Sequence, residues 1–407
     1  MGGLPNRQSS ILNRKLKSST IERMPRPSSK SLALFVVGLA FFTDMFLYYL
    51  LVPLLPIYAR ELNLGQMHIG LLFGSYAIAL VAVTLPLGSL ADRVGRRRPM
   101  LIGLFALAAT TLLFLFAKNY WLLVLARGLQ GAAGAATWIP GMALLADHFP
   151  REQRGKAMGT AFACANLGVL TGPPISGYLT EGFGASAPFI LGIGLVALDA
   201  VGRAFLLEES PAERGERISP WVLVKNPVIL VFSGALALGS ALWAVLESTL
   251  PLHFDAVLRF GPGQIGLCFA AAAATHTLTS PLMGHLSDRI GRKKVLIIGL
   301  ALSVVFIPLP VFFRHTVFVV ASMMALGSIA SLIMSPSSPA VADAVEKTGS
   351  TSYASAFSIL NIAYAVGMMV GPLVGSALVQ MLGLQVALIL VGLGFGSFIF
   401  VTRRVTA

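Results

Sequence analysis

The sequence predicts an all-α membrane protein with twelve transmembrane helices in two six-helix halves. Of its 407 residues, 56% are hydrophobic and only 12% are charged, and the mean hydropathy is +0.80. Soluble domains carry about 25% charged residues, so this composition excludes an ordinary soluble protein. The apolar residues gather in twelve long runs, and motifs of the first half recur about 196 residues later.

Twelve runs from residue 32 onward are long enough to cross a bilayer. Twelve helices of ~22 residues would use ~264 residues and leave room for short connections. Each run is predicted to be a helix, because a segment in lipid must satisfy its own backbone hydrogen bonds. The predicted spans 1 to 12 are residues 32–57, 68–90, 99–117, 120–146, 156–180, 187–207, 227–252, 264–286, 295–313, 316–342, 352–380 and 383–402.

Basic residues outside the spans predict the orientation. If both chain ends lie on one side, that side holds 24 of the 30 lysines and arginines, and the other side holds four. Cytoplasmic loops are enriched in these residues, so both termini are predicted to be cytoplasmic, in a multi-pass protein of the plasma membrane. The net charge of +13 is then a topology signal with some attraction to anionic lipid, and nucleic-acid binding is excluded.

The polar segments divide the chain. Residues 1–31 are predicted to be a disordered, basic cytoplasmic tail, because Ser and Pro are frequent there and the segment is rich in Lys and Arg. Residues 32–207 and 227–402 are predicted to be the two halves, joined by a cytoplasmic linker at 208–226 and followed by a short tail at 403–407. The two cysteines lie in apolar runs, so no disulfide framework is expected.

Motifs repeat between the halves at a nearly constant spacing. The segment from Gly88 to Arg98 after span 2 reads G-S-L-A-D-R-V-G-R-R-R, and G-H-L-S-D-R-I-G-R-K-K follows span 8, 196 residues later. Gly168-x-x-x-Gly172-Pro173 in span 5 recurs in span 11, 199 residues later. Parallel repeats of this kind place a substrate site at the interface of the halves, near the bilayer midplane.

These motifs resemble those of the major facilitator superfamily. The loop motif in both halves and the run R-G-L-Q-G from Arg127 in span 4 look like signatures of that superfamily. The G-x-x-x-G-P of span 5 looks like its antiporter motif. The resemblance covers residues 32–402 and implies the major facilitator fold. It also implies that span 5, through Gly168, Gly172 and Pro173, seals the protein against proton leak.

A closer resemblance is to the vesicular amine transporters and their bacterial drug:proton antiporter relatives. The run F-F-T-D-M-F-L-Y-Y-L-L-V-P from Phe41 in span 1 and L-E-S-T-L-P around Glu247 in span 7 are similar to that group. The resemblance implies exchange of an amine for protons. The chain departs from the animal members at Tyr76, where they have a lysine, and at Asn361, where they have an acid. These departures indicate a prokaryotic relative.

Charged residues inside the spans are candidates for function, because each costs about 2.5–3.5 kcal/mol on insertion scales. Asp44 lies halfway along span 1 with Phe41 and Tyr48 one turn away, which predicts a site for an organic cation or a proton. Glu247, with Trp243 one turn back, is the matching candidate in span 7. The alternative for Glu247 is a carboxylate at the rim, hydrated from outside.

Arg127 in span 4 is expected to lie near Asp44 and to tune its protonation. The alternatives are a structural ion pair between the two and an arginine bonded to backbone carbonyls. Asp199 and Arg203 are four residues apart in span 6, so either they neutralise each other or Asp199 belongs to a proton path. His276 is either a packing residue or a titrating group.

The loop motifs also predict a mechanical role at the cytoplasmic face. Acids and bases at the ends of spans 2, 4, 8 and 10 can form ionic clusters that hold the halves together there. The alternative is that the basic residues only set the topology, and for Asp343 the resemblance implies a proton role as well. The predicted conformational latch consists of Gly88, Asp92, Arg93, Arg96 and Asp147 in the first half and Asp288, Arg289 and Asp343 in the second.

The sequence therefore predicts a proton-coupled antiporter that exports hydrophobic organic cations, such as amines and drugs, by alternating access. Its predicted substrate and proton site comprises Asp44, Glu247, Arg127, Tyr48, Phe41, Trp243, Tyr76, Asn361 and Asp199. A carrier of another small solute, such as a sugar or neutral metabolite, and a non-transporting receptor or scaffold remain as alternatives. No catalytic or metal-binding motif occurs in the sequence, so a monomer in the bilayer without enzyme activity, cofactor or metal is expected.

Overall fold

The computed structural model describes residues 29–206, 225–347 and 353–404. Outside the described residues lie 1–28 of the predicted tail, residue 207 with 208–224 of the predicted linker, 348–352, and 405–407. In the described part of the chain the elements are helices only, and they form twelve spans. The predicted all-α fold of twelve spans is confirmed.

Most spans are single helices, and spans 1, 9 and 10 are interrupted near prolines, which lack the backbone N–H that a continuous helix needs. The sequence runs did not predict these interruptions. The helices are Ser29–Tyr49 with Val52–Leu54 (3-10) and Leu55–Glu61 for span 1, then Gln66–Val94, Arg97–Phe116, Tyr120–His148, Arg151–Phe183 and Ala187–Leu206 for spans 2 to 6. Spans 7 to 12 are Pro227–Ala256, Pro262–Ile290, Arg292–Phe306 with Leu309–Val311 (3-10), Thr316–Met334 with Ser337–Lys347, Tyr353–Leu382 and Leu384–Arg404.

Span 5 differs from the other eleven described spans in composition. Those eleven are long enough and apolar enough to cross a membrane. Span 5 has 33 residues, but glycine, alanine, threonine and a polar first turn lower its hydropathy. It packs between span 1 of its own half and span 8 of the other half, so neighbouring helices cover much of its length.

The helices of the two halves pack in the same pattern. Span 1 packs on span 5, span 2 on span 4, and span 3 on span 6. Correspondingly, span 7 packs on span 11, span 8 on span 10, and span 9 on span 12. Spans 5 and 8, and spans 2 and 11, make the main contacts between the halves. The repeat seen in the motifs is therefore also a repeat of the packing.

The halves approach each other closely at one end of the bundle, called the distal face here because it lies opposite the chain ends. The other end, which carries Ser29 and Arg404, is called the terminal face. A Cβ added at Gly70 of span 2 would lie 2.7 Å from the Pro372 carbonyl of span 11. At the equivalent place in the other interface, a Cβ on Gly266 of span 8 would overlap the carbonyl of Pro173 in span 5. Glycine is thus required at both positions for this approach.

Two helix N-termini at the distal face are capped by side chains of the opposite half. Gln380 Oε1 at the end of span 11 accepts a hydrogen bond of 3.2 Å from the backbone N–H of Met67 in span 2. Glu181 Oε1 at the end of span 5 accepts one of 2.9 Å from the N–H of Gly263 in span 8. Because the first N–H groups of a helix have no partner within it, these trans caps stabilise the contact between the halves.

Further polar contacts join the halves at the same end. Arg60 at the end of span 1 forms an ion pair with Asp255 of span 7. The Gln66 side-chain amide donates to the Ser248 carbonyl at 2.7 Å and to Ser376 Oγ at 3.1 Å. The structure thus has the two halves closed against each other at the distal face.

Candidate functional site

Glu247 of span 7 and Tyr48 of span 1 meet across the boundary between the halves. The Tyr48 hydroxyl donates a hydrogen bond of 3.1 Å to Glu247 Oε2. The ring of Tyr49 lies beside that of Tyr48, with centroids 5.0 Å apart. Glu247 is only 1% exposed, so in this conformation it is a core carboxylate and not a hydrated group at the rim.

Arg127 of span 4 lies in a cage of aromatic rings. Its guanidinium carbon is 3.9 Å from the ring centroid of Tyr48, and it lies 4.8 Å and 5.2 Å from those of Phe73 and Tyr76. Arg127 Nη1 also donates to the Tyr48 carbonyl at 3.1 Å and to Gln130 Oε1 at 2.8 Å. A desolvated cation–π contact stabilises by about 2 kcal/mol or more. Among the described residues, the rings and the two acceptors therefore hold the buried positive charge, and no carboxylate is paired with it.

Asp44 of span 1 is held by an indole. Trp138 Nε1 of span 4 donates a hydrogen bond of 2.7 Å to Asp44 Oδ2. The Trp138 ring stacks on Phe41, with centroids 4.0 Å and planes 15° apart. Asp44 is 1% exposed, and its Oδ1 has no hydrogen-bond partner among the described residues. Phe41 thus reaches the Asp44 site through Trp138, whereas Tyr48 contacts Glu247.

Asp44 and Arg127 do not form an ion pair within the described residues. The carboxylate is bonded to Trp138, and the guanidinium Nε and Nη2 are buried with no hydrogen-bond partner among the described residues. Of the two structural alternatives for Arg127, the ion pair is absent there and the bond to a backbone carbonyl is present. Arg127 is nevertheless near enough to act electrostatically on Asp44.

The groups described above form a central cluster with two parts, namely Asp44 with Trp138, and Arg127 with its aromatic cage and Glu247. Tyr76 of span 2 lies between these two parts. Its ring contacts that of Tyr48 edge-on, with centroids 4.8 Å apart. A Cβ added at Gly134 would lie 2.9 Å from Tyr76 Oη and 3.4 Å from Asp44 Oδ2, so the glycine leaves room for both groups. Asn361 of span 11 is exposed, and within the described residues no contact joins it to this cluster.

Asp199 and Arg203 form a fully buried ion pair within span 6. Arg203 Nη2 and Nε donate to Asp199 Oδ2 and Oδ1 at 2.6 Å and 3.0 Å. Arg203 Nη1 donates to the Met100 carbonyl of span 3 at 2.7 Å and to Thr137 Oγ1 of span 4 at 3.2 Å. The pair therefore ties three helices of the first half together, next to Trp138, which supports the structural alternative for Asp199.

Trp243 and His276 contact each other, and within the described residues neither is hydrogen-bonded to Glu247. Their rings meet edge-on with centroids 5.7 Å apart. His276 Nδ1 lies 3.1 Å from Ser331 Oγ, which also donates to the His276 carbonyl. This arrangement supports a packing role for His276.

The predicted latch residues divide into two clusters at the terminal face. Arg96 Nε donates to Asp147 Oδ2 at 3.3 Å in the first half. In the second half Arg292 pairs with Asp343 at 2.8 Å and with Asp288 at 3.9 Å. Each of these pairs joins residues of one half.

Among the other latch residues, Arg289 is placed differently from the prediction. Arg289 is exposed and takes no part in the described ion pairs, and Arg292, four residues after Asp288, occupies the expected position. Gly88, Asp92 and Arg93 lie in the last turns of Gln66–Val94, and their side chains lie outside the described part of the structure.

The small residues of span 5 allow it to pack directly on span 1. A Cβ on Gly168 would lie 2.5 Å from the Phe42 carbonyl, and one on Gly172 would lie 2.9 Å from the Phe46 carbonyl. Pro173 presents its carbonyl to Gly266 of span 8. The predicted antiporter helix thus lies between span 1, which carries Asp44, and the other half.

Sequence reasoning missed three residues of the cluster, namely Trp138, Phe73 and Gln130. Trp138 had a usable signal, because a tryptophan inside a membrane span needs a partner for its N–H. It follows Arg127 by eleven residues, about three helical turns, and so lies on the same face of span 4. Phe73 gave no comparable signal, because one phenylalanine among 25 is unremarkable.

Comparison with known proteins identifies the family. The sequence model of the Major Facilitator Superfamily matches residues 37–261 and 232–406. The chain is 30% identical over 334 residues to the chromaffin granule amine transporter of Rattus norvegicus, covering 80% of this chain and 63% of that protein. It is 28% identical over 340 residues to the synaptic vesicular amine transporter of Rattus norvegicus, covering 82% and 65%. Identity to the vesicular acetylcholine transporter of Drosophila melanogaster is 27% over 434 residues, covering 96% and 74%.

Solved structures share the fold. A bacterial homolog of the human lysosomal transporter Spinster, in an inward-facing and occupied conformation, superposes with a TM-score of 0.80 at 14% identity, over 94% of this chain and 98% of that chain. The nucleoside transporter NupG superposes with a TM-score of 0.74 at 16% identity, over 93% and 99%. At such identities the likeness concerns the fold alone.

The chain spans slightly less than two thirds of the length of the amine transporters quoted above. The relatives are transporters by name, which confirms the prediction that the chain is not an enzyme. The predicted resemblance is also confirmed, and the chain is a multi-pass membrane protein that belongs to the major facilitator superfamily and is related to the vesicular amine transporters.

Proposed function

We propose that the chain is a proton-coupled antiporter that exports hydrophobic organic cations by alternating access. Asp44 and Glu247 are the carboxylates that bind either a proton or a cation. The names of the amine and acetylcholine transporters to which the chain is similar support a cationic substrate.

The observation that carries the proposal is the pair of buried carboxylates without ion-pair partners. Asp44 is bonded to an indole and Glu247 to the Tyr48 hydroxyl, and within the described residues neither forms an ion pair. An uncompensated buried charge costs several kcal/mol. Each carboxylate is therefore stable when it carries a proton or when it faces a bound cation, and these are the two states that an exchanger needs.

Aromatic rings around both carboxylates suit an organic cation. Trp138, which stacks on Phe41, bonds to Asp44, and Tyr48 bonds to Glu247. The negative faces of such rings attract an alkylammonium group once water is excluded. A hydrophobic cation can thus satisfy the acid and the aromatic surface together.

The aromatic cage around Arg127 keeps its guanidinium group from forming an ion pair with either acid. Because the guanidinium is held by Tyr48, Phe73 and Gln130, Asp44 and Glu247 stay available to substrate. The buried pair of Asp199 and Arg203 is likewise self-compensated. Proton exchange is therefore assigned to Asp44 and Glu247.

The terminal face is proposed to be cytoplasmic, in the plasma membrane, because most of the basic residues outside the spans belong to it. The latch clusters of Arg96 with Asp147 and of Arg292 with Asp343 lie at this face. We assign them to closing the terminal face when the distal face opens. In the present conformation the described ion pairs of each cluster join residues of one half.

The test is uptake of a quaternary ammonium cation into proteoliposomes that hold the purified protein and an acidic interior. Phenyltrimethylammonium is the first probe, because its charge does not depend on pH and it cannot accumulate as a neutral base. Uptake should require the pH gradient and should stop when a protonophore collapses it. Asp44→Asn should abolish the gradient-driven uptake, and Glu61→Gln, which removes an exposed carboxylate of the same span, should not.

Two results would count against the proposal. Uptake that proceeds equally without a pH gradient would show a carrier that is not coupled to protons. Uptake of a neutral sugar or metabolite, with no binding of any quaternary ammonium in a panel of increasing size, would favour a carrier of another solute.

A further inference from the structure

We propose that Trp138 is a positioning residue that holds Oδ2 of Asp44 and thereby presents Oδ1 to the proton or the cation. This inference rests on the proposed function and specifies how the site is regulated.

The geometry divides the carboxylate into two different oxygens. Oδ2 accepts the indole N–H of Trp138 at 2.7 Å, which is a short, strong hydrogen bond. Oδ1 is buried and has no hydrogen-bond partner among the described residues. An indole N–H donates and cannot accept, so it cannot take the exchanged proton. Proton and cation are therefore directed to Oδ1.

Packing fixes the indole in this orientation. One face of the Trp138 ring stacks on Phe41 at 4.0 Å, and Phe162 of span 5 lies 5.8 Å away at a tilt of 41°. The preceding residue, Thr137, is hydrogen-bonded to Arg203. The N–H is thus preorganised towards Asp44, and no side-chain entropy is lost when the carboxylate becomes charged.

Such a donor favours the charged carboxylate over the protonated one. The Trp138 N–H therefore sets the pH at which a bound cation replaces the proton on Asp44. Without this N–H the Asp44 carboxyl group would stay protonated up to a higher pH, and the cation would bind more weakly at neutral pH. The competition itself would remain, because Oδ1 is unchanged.

Other polar groups act on the same carboxylate, and the experiment must separate them from Trp138. The titratable or charged groups facing this part of span 1 from the neighbouring spans are Tyr76 of span 2, Arg127 of span 4, Cys164 of span 5, and Asp199 and Arg203 of span 6. Substituting Trp138 leaves all of these groups in place, so a change in the pH profile reports on the indole.

The test measures binding of phenyltrimethylammonium to the purified full chain as a function of pH, with Trp138→Phe beside wild type. Phenylalanine keeps an aromatic ring to stack on Phe41 and removes the N–H. We expect the pH midpoint of binding to rise by about one unit, so that affinity falls about tenfold on the proton-competed limb and recovers at high pH. The matched control is Trp121→Phe, because Trp121 is 70% exposed and should leave the profile unchanged.

A double variant distinguishes positioning from a purely structural role. In the Asp44→Asn background, Trp138→Phe should produce no further change in the pH profile, because the two residues act through one bond. A folded Trp138→Phe protein with the wild-type midpoint would overturn the proposal.

A second measurement uses the wild-type protein and no cation. With ¹⁵N-labelled indoles, one of the four tryptophan N–H resonances should titrate with pH, and this titration should vanish in Asp44→Asn. If all four resonances behave alike in both proteins, the proposal is wrong, even if Trp138→Phe fails to fold. Because this readout needs no ligand, a wild-type protein that does not bind the cation would refute the proposed function and leave the inference on Trp138 to be decided by the indole.

Discussion

The hydroxyl of Tyr48 in span 1 donates to Glu247 Oε2 in span 7 at 3.1 Å, so a hydrogen bond joins the two halves beside the caged Arg127. The same tyrosine presents its ring and its carbonyl to Arg127. One residue therefore contacts the acid of the second half and the arginine of the first. Any movement of the halves that separates spans 1 and 7 must break or reorient this bond.

Tyr48→Phe should weaken binding of phenyltrimethylammonium about tenfold at neutral pH. The ring over Arg127 is kept, and only the donor to Glu247 is lost, so the charged carboxylate becomes less stable relative to the protonated one. Equilibrium binding across pH is the measurement. Tyr178→Phe, at an exposed tyrosine of span 5, is the control and should bind as wild type does.

Asp44→Asn should remove the pH dependence of cation binding that is due to this residue. In wild type, below the midpoint, each pH unit should weaken apparent affinity about tenfold, because one proton competes with one cation, and above it the affinity should level off. The amide mimics the protonated acid and cannot exchange a proton. Binding measured in detergent between pH 5 and 9 tests this, and a folded variant with an unaltered profile would contradict competition at Asp44.

Glu247→Gln should discriminate between charged and uncharged ligands. The substitution keeps the shape and removes the charge, so it isolates the ionic contribution, which is about 1.5–3 kcal/mol for charge-assisted contacts. Phenyltrimethylammonium should lose tenfold or more in affinity, whereas its uncharged isostere tert-butylbenzene, measured by competition, should change little. Equal losses for both ligands would place Glu247 outside the site.

Asp199→Ala should destabilise the protein by about 3–5 kcal/mol, because it leaves the fully buried Arg203 without its carboxylate. The double variant Asp199→Leu with Arg203→Met should recover most of this loss, because it removes both charges. Unfolding in detergent measures both. Asp288→Ala is the control, since that carboxylate is 61% exposed and its pair with Arg292 should contribute no more than about 1 kcal/mol. A double variant as unstable as the single one would argue against pairing as the role of Asp199.

Removing the trans caps should shift the protein away from closure at the distal face. Glu181→Ala and Gln380→Ala each delete an acceptor that crosses between the halves. The distance between spin labels at residues 61 and 257, in a background without Cys164 and Cys268, should lengthen or broaden in both. Gln264→Ala is a matched control, because Gln264 caps the same helix as Glu181 but from within that helix. If it had the same effect as Glu181→Ala, helix capping alone would explain the change.

The number and order of the spans could be predicted because a segment that crosses lipid must be long, apolar and helical. The repeat of the Gly88 and Gly284 motifs predicted the division into halves. The breaks after Tyr49 and Met334 were missed, since a hydropathy run does not register a proline that ends one helix and begins the next. Several helices were also predicted too short. A hydropathy run ends where the apolar residues end, whereas the helix continues into polar residues such as those at 151–155.

Candidate residues were found where a charge inside a span is costly, as with Asp44, Glu247 and Arg127. Their partners could not be found in the same way. Helical spacing placed Tyr48 on the same face of span 1 as Asp44. In the structure, however, the Tyr48 side chain extends to the neighbouring span 7 and bonds to Glu247, 199 residues away in the sequence. Partners across helices depend on tertiary packing, which i,i+3 and i,i+4 neighbours do not determine.

Span 5 is too rich in glycine and polar residues to partition into lipid by itself. During synthesis it should therefore enter the bilayer only when span 1, already in place, offers the surface that Gly168 and Gly172 need for close contact. The glycines that allow this helix to pack closely on its neighbours thus also make its insertion dependent on those neighbours. Bulky substitutions at either glycine are thus expected to lower the amount of correctly assembled protein in the membrane before they affect any step of the exchange cycle.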